Sequence, residues 1–344
     1  MTKKPTKAAY HSLVGDIGKL LEQGRVQAMK QVNTILVSTY WQVGKSIVEF
    51  EQAGTPTAEY GKELLVRLSK DLKNRYGKGF SRSNLQYMRL LYVHYPNRQT
   101  LSGKLSWSHY VELLSISDNM ARSFYEKQCL SDTWSVRELK RQRNASLFER
   151  IALSRDKNQI AALSQKGQTI ETSKDIIKDP YVFEFLDIPE HVHMGERSLE
   201  NALIDKLGHF LLELGKGFAF VGQQYRITLD NTHYYADLVF YHRILKCFVI
   251  IDLKTSKVNH QDIGQMNLYL NYFKREENME DDKDPIGIIL AADKDEILVE
   301  YATGSISNPL FVSTYQLYLP DKQLLEEKLR MFMEQEVLDD GGDV

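Results

Sequence analysis

Cysteine is scarce: the 344 residues contain two, Cys129 and Cys247. That is too few for a disulfide framework or a cysteine-ligated zinc site, and a reducing cytoplasm is the expected compartment. No run approaches the roughly 20 consecutive apolar residues that cross a bilayer, so no membrane partner is expected. The start, Met1-Thr2-Lys3-Lys4-Pro5-Thr6-Lys7, has the positive charges of a signal peptide without the apolar stretch behind them. What is present is the material of a globular protein, 42% hydrophobic and 26% charged. This excludes disorder over most of the length. At roughly 100–200 residues per domain, the length suits two domains.

The net charge of −2 hides a division. Residues 1–160 carry 26 Lys and Arg against 14 Asp and Glu, and residues 161–344 carry 18 against 32. The excess is concentrated in residues 61–110, with 10 basic and 2 acidic side chains. One half suits a polyanion, and the acidic half would be explained by a cation site.

Apolar residues recur at helical spacing from about His11 to Glu51, with Gly54-Thr55-Pro56 as the stop. A second helix is expected over Ala58–Tyr76. Gly77-Lys78-Gly79-Phe80 then turns the chain, and Ser81 caps a helix ending before Pro96. Helix, glycine turn, helix is the outline of a helix-turn-helix. Lys78 in the turn, and Arg82, Asn84, Gln86 and Arg89 on the second helix, are of the types that bond phosphates and base edges. Residues 155–180 lack clear periodicity and read as a linker between a basic helical domain, 1–154, and a second domain, 181–344.

The second domain reads α-β-β-β-α-β: a helix over Glu196–Leu214, strands over Phe218–Leu229, Tyr234–Tyr241 and Cys247–Lys254, a helix over His260–Lys274, and a strand over Pro285–Ala292. Another short strand is expected over Glu296–Thr303, and a polar helix from about Asp321. The five consecutive apolar residues Cys247–Ile251 suit a central strand covered on both faces.

Acid stands where hydrophobe is expected. Asp237 interrupts one strand, while Asp252 and Lys254 end the next. With Ile244 and Leu245 at the tip of the turn, the antiparallel register sets Asp237 directly across from Asp252. Like charges so placed destabilise a sheet unless something positive joins them. A slip of one residue would send the two acids to opposite faces. Carboxylates without a histidine cluster suit a hard cation, magnesium or alternatively manganese, and metal-assisted phosphodiester hydrolysis follows. Lys254 shares a face with Asp252, where it can orient a water or stabilise developing negative charge.

Asp237 followed by Asp252-Leu253-Lys254 on this core resembles the PD-(D/E)xK nuclease superfamily. The ordered segments around it resemble the YhcG-type branch: Leu212–Gly222, Asp237–His242, Gly264-Gln265 with Tyr269-Leu270, and in the first half Trp41–Gly44, Glu59–Lys62, Gly79–Leu85 and Leu105–Tyr110. The resemblance implies a restriction-endonuclease-like α/β domain with a mixed sheet, following an all-α domain in an α+β chain overall. It implies Asp237 and Asp252 as metal ligands and Lys254 as the catalytic lysine. Glu200 would complete the site through a water, with Gln265 beside them. Asp252 replaces the more usual glutamate, and Ala236 the proline. Gln224, on the first strand, is expected to face the substrate groove.

The expected activity is magnesium-dependent DNA endonuclease, with duplex or branched DNA held by the basic half. A nuclease fold that binds or assembles without turnover, or an RNA nuclease, are the competing readings. Restriction, phage defence, with its partner proteins, and DNA repair all fit. A homodimer is expected if both strands are cut.

Overall fold

The helical periodicity beginning near His11 becomes a single 47-residue helix, α1 (Lys7–Ala53), in the computed structural model. The structure describes residues 7–53, 58–153, 157–189, 194–304 and 306–339, so the basic N-terminus and the Gly54-Thr55-Pro56 stop lie outside it. Helices α2 (Ala58–Tyr76), α3 (Arg82–His94), α4 (Trp107–Leu114), α5 (Asn119–Asp132), α6 (Val136–Asn144) and α7 (Leu147–Ala152) follow. The turn between α2 and α3 is closed by Gly77 and Gly79, at φ +81° and +113°, a backbone region that disfavours a Cβ. Ser81 caps α3 by accepting the Asn84 N–H at 3.1 Å. Ile47, Leu65, Leu85 and Met88 bury the junction of the first three helices. There α1 crosses α3 so closely that a Cβ on Gly44 would lie 1.9 Å from the Met88 carbonyl oxygen.

The described residues form two compact units, one running to Arg122 with Cys129–Leu139, the other comprising Ser123–Gln128 and everything from Lys140. The segment expected as a linker is structured within the second unit. It contains α8 (Lys157–Lys166) and a 3₁₀ turn at Ser173–Ile176, which bury Ile160, Leu163 and Ile176. Three well-spaced apolar residues suffice to hold short elements that leave little periodic signal.

After β1 (Tyr181–Val182) come α9 (Glu196–Asp205), α10 (Leu207–Leu214), β2 (Phe218–Leu229), β3 (Thr232–His242), β4 (Cys247–Lys257), α11 (His260–Tyr272) and β5 (Ile286–Asp293). The chain then forms α12 (Glu296–Thr303), β6 (Leu310–Gln316) and α13 (Lys322–Asp339). The six strands make one mixed sheet in the order β1-β6-β5-β4-β3-β2. It is antiparallel through β2, β3 and β4 and parallel from β4 to β1. Alternate residues of the central strands enter two apolar layers. Leu238, Phe240, Val249 and Ile251 pack with Leu199, Leu203 and Phe210 of α9 and α10. Val239, Ile250 and Ile289 pack with Ile263, Met266 and Leu270 of α11.

Glu296–Thr303 is helical, not the expected strand. Asp295 caps it through the Leu298 N–H, and Leu298, Val299 and Ala302 pack on the α11 layer. A short apolar run fits both periods, and the cap decides between them. The true sixth strand is Leu310–Gln316.

Candidate active site

β3 and β4 pair from His242↔Cys247 to Leu238↔Ile251, the register read from the turn. One step further Asp237 would oppose Asp252, but the ladder stops there while β3 continues along β2 and β4 along β5. The two aspartates are thus neighbours at a parting of strands, not a ladder pair. Asp237 Oδ2 accepts the Leu253 N–H at 2.8 Å, replacing the strand partner that this amide loses. By strand alternation Asp237 lies on the side of Val239, and Asp252 and Lys254 on the side of Ile250. Both apolar residues belong to the layer under α11, so the two acids and the lysine share one face.

Asp252 is 2% exposed. Burial, and then the Asp237 carboxylate beside it, push its carboxyl up to about 7 against the opposing pull of Lys254. Lys254 Nζ lies 2.9 Å from Asp252 Oδ2, with Asp262 Oδ1 at 3.9 Å and Glu196 Oε2 at 4.0 Å. Burial works to lower the Lys254 ammonium, but Asp252, Glu196 and Asp262 outweigh it and raise it. Glu200, buried on α9, is raised by burial and by Asp237. The Gln224 amide bridges these acids, donating to Glu200 Oε2 at 2.7 Å and to Asp237 Oδ1 at 3.1 Å.

Glu200 Oε1 and Asp252 Oδ2 are buried and accept no hydrogen bond, the lysine lying near the latter without bonding geometry. Orphaned carboxylate oxygens among clustered acids fit a hard divalent cation. Among the described residues no three acid, histidine or cysteine side chains close around one point as a ready-made cage. The donor set therefore suits an ion that keeps several waters.

Of the residues predicted for the site, Asp237, Asp252, Lys254, Glu200 and Gln224 come together. Gln224 sits among the acids, not apart in a groove. Gln265 stands one step back: its amide bonds the Tyr269 hydroxyl, which donates to the Tyr235 carbonyl on β3 at 2.9 Å. Glu196 and Asp262 were missed. Glu196 lies one helical turn before Glu200, an i,i+4 spacing that could have revealed it. Asp262 closes the capping box of Asn259 at the head of α11, a role legible from its position two residues after His260.

In the helical unit, Lys78 and Arg82 are exposed, and Arg82 and Gln86 line an open cavity of about 420 Å³ with Tyr87 and Ser115. Asn84 and Arg89 are engaged internally. The Asn84 amide donates to the Gly79 carbonyl and accepts from Trp107 Nε1, while Arg89 Nε bonds Glu51 Oε2 at 2.7 Å.

Comparison with known proteins places these observations in a family. The YhcG PDDEXK nuclease domain matches residues 174–330, and the DUF1016 N-terminal domain matches residues 16–150. A protein of Escherichia coli (strain K12), described as "Putative nuclease YhcG", is 39% identical over 369 aligned positions, which cover 98% of this chain and 97% of that protein. Among solved structures, a repair endonuclease from Pyrococcus abyssi matches 38% of this chain and 50% of its own, at 15% identity and a TM-score of 0.26. That likeness is too distant to bear on function.

Proposed function

The chain belongs to the YhcG family of PDDEXK nucleases, and we propose that it is a magnesium-dependent DNA endonuclease whose helical half holds the substrate. PDDEXK nucleases use divalent metal ions and act on nucleic acid. The observation carrying the reading is the meeting of Asp237, Asp252 and Lys254 on one face where β3 and β4 part.

Asp237 and Asp252 would hold the ion directly and Glu200 would reach it through a water, with manganese able to replace magnesium. When bound, such an ion supplies Lewis acidity at the phosphate and a water of lowered pKa. Lys254, within 2.9 Å of Asp252, presents its ammonium where negative charge develops on the phosphate or where the attacking water must be oriented. Gln224 fixes Glu200 and Asp237 relative to each other. Gln265 holds Tyr269, and through it the β3 backbone beside Ala236-Asp237. Lys78, Arg82 and Gln86 supply phosphate contacts on the helical unit.

Cleavage of supercoiled, linear and branched DNA in magnesium tests this. Asp252→Asn and Lys254→Ala are each expected to lose about 100-fold or more in rate, with thermal unfolding and DNA affinity largely kept. Full activity in both variants would remove the site. Cleavage confined to RNA would keep the site and change the substrate.

A further inference from the structure

The first helix carries an apolar face that nothing in the chain covers. Leu13, Ile17, Leu20, Leu21, Val32 and Ile35 are 48–67% exposed. At about 100° per residue they fall within a stripe about 120° wide. Continued along α1, the same stripe passes through Thr39, Gln42, Ser46 and Phe50. These line one wall of an apolar groove of about 550 Å³, and Leu64, Leu68 and Leu72 of α2 line the other. No Asp, Glu, Lys or Arg between Leu13 and Ser46 projects from that stripe. Asp16, Lys19, Glu22, Lys30 and Lys45 turn to other sides of the helix, and Arg25 lies at its edge.

A ridge at one end of a helix and a trough at the other, on one continuous face, form a self-complementary surface. A two-fold pair of identical chains requires such a surface. We propose that α1 is the seam of a homodimer. Two copies lie antiparallel about an axis near Gln31, midway along the face, so that each ridge at Leu13–Leu21 enters the other copy's groove at Thr39–Phe50. The six ridge side chains alone offer on the order of 1,200 Å² between two copies, at the lower end of stable interfaces. The two grooves add to that. A stripe of this size left in water would be unusual for a monomer. The seam does not depend on the nuclease reading and would exist in an inactive chain.

Sedimentation of the full chain at micromolar concentration should give twice the 39.8 kDa of one copy. Ile17→Glu and Leu21→Glu, each placing an unpaired charge in the seam, should weaken association about 100-fold or more. Helical circular dichroism should be unchanged, because both side chains are exposed. Lys19→Glu, off the stripe, should leave the mass as it was. The two native cysteines are buried, so introduced thiols report cleanly. Gln31→Cys should cross-link to itself, and Leu13→Cys only when mixed with Ser46→Cys. A monomeric wild-type chain, a dimer indifferent to Leu21→Glu, or self-cross-linking of Leu13→Cys would overturn the proposal. So would a monomer that floats with phosphatidylglycerol vesicles, which would assign the face to a membrane surface.

Discussion

Gln224 adopts φ +47°, a left-handed conformation that costs a residue with a Cβ on the order of 1–3 kcal/mol. Its amide bonds to Glu200 and Asp237 are what the conformation secures. Gln224→Gly keeps the backbone at ease and removes the amide. The expected outcome is cleavage reduced about 10- to 100-fold, the range for residues that orient metal ligands, with a melting temperature equal to or above that of the parent. Parallel plasmid-cleavage and calorimetric measurements decide it, and undiminished cleavage would reduce Gln224 to a strand residue. The neighbouring acids were legible in the sequence because charge inside an apolar strand is conspicuous and the turn gave the register. Gln224's place among them was not, since residue type does not announce a positive φ. Nor was the internal engagement of Asn84 and Arg89, which depends on Trp107 and Glu51 arriving from elsewhere in the chain.

Elements carry the next level of consequence. Because α1 and α3 touch at Gly44, Gly44→Ala should destabilise the helical unit by about 1–3 kcal/mol, seen as a lower urea midpoint at unchanged slope. In the second unit, fully buried Glu213 on α10 accepts from Arg150 at 2.8 Å, from Arg141 at 3.2 Å and from the Val182 N–H at 3.0 Å. Burial alone would raise its carboxyl, but Arg150, Lys178 and Arg141 outweigh burial and hold it down to about 2. Its unfolded value is about 4.3, so the native state takes up the proton less readily. The resulting stabilisation, on the order of 3 kcal/mol, is complete above about pH 5 and vanishes as pH falls toward 2. Glu213→Gln should remove that part of the acid dependence in thermal scans. It should also cost about 3–5 kcal/mol at neutral pH by leaving buried cations without their counter-charge. The long elements were readable from periodicity, and α3 from its serine cap. The short ones were not: Glu296–Thr303 is decided by the Asp295 cap and by contact with the α11 layer, and 157–176 by three buried aliphatics.

For the whole molecule, the separation of basic and acidic halves was visible from counting alone, and it bears on how the chain meets a polyanion. Affinity for duplex DNA should fall steeply with salt. Lys78→Gln and Arg82→Gln should each reduce the salt slope by about one, because both side chains are exposed. Arg89→Gln should leave the slope unchanged and lower stability instead, because its charge is already joined to Glu51. Titrations by fluorescence anisotropy at several ionic strengths separate these outcomes. The twelve-residue β2 forms one margin of the sheet. Long free margins recruit foreign strands, yet this one is broken by the register shift between Phe220 and Gly222 and again by the left-handed Gln224. The irregularity that delivers an amide to the acids thereby also denies a straight template to any chain that would add to the sheet, guarding the protein against amyloid-like stacking.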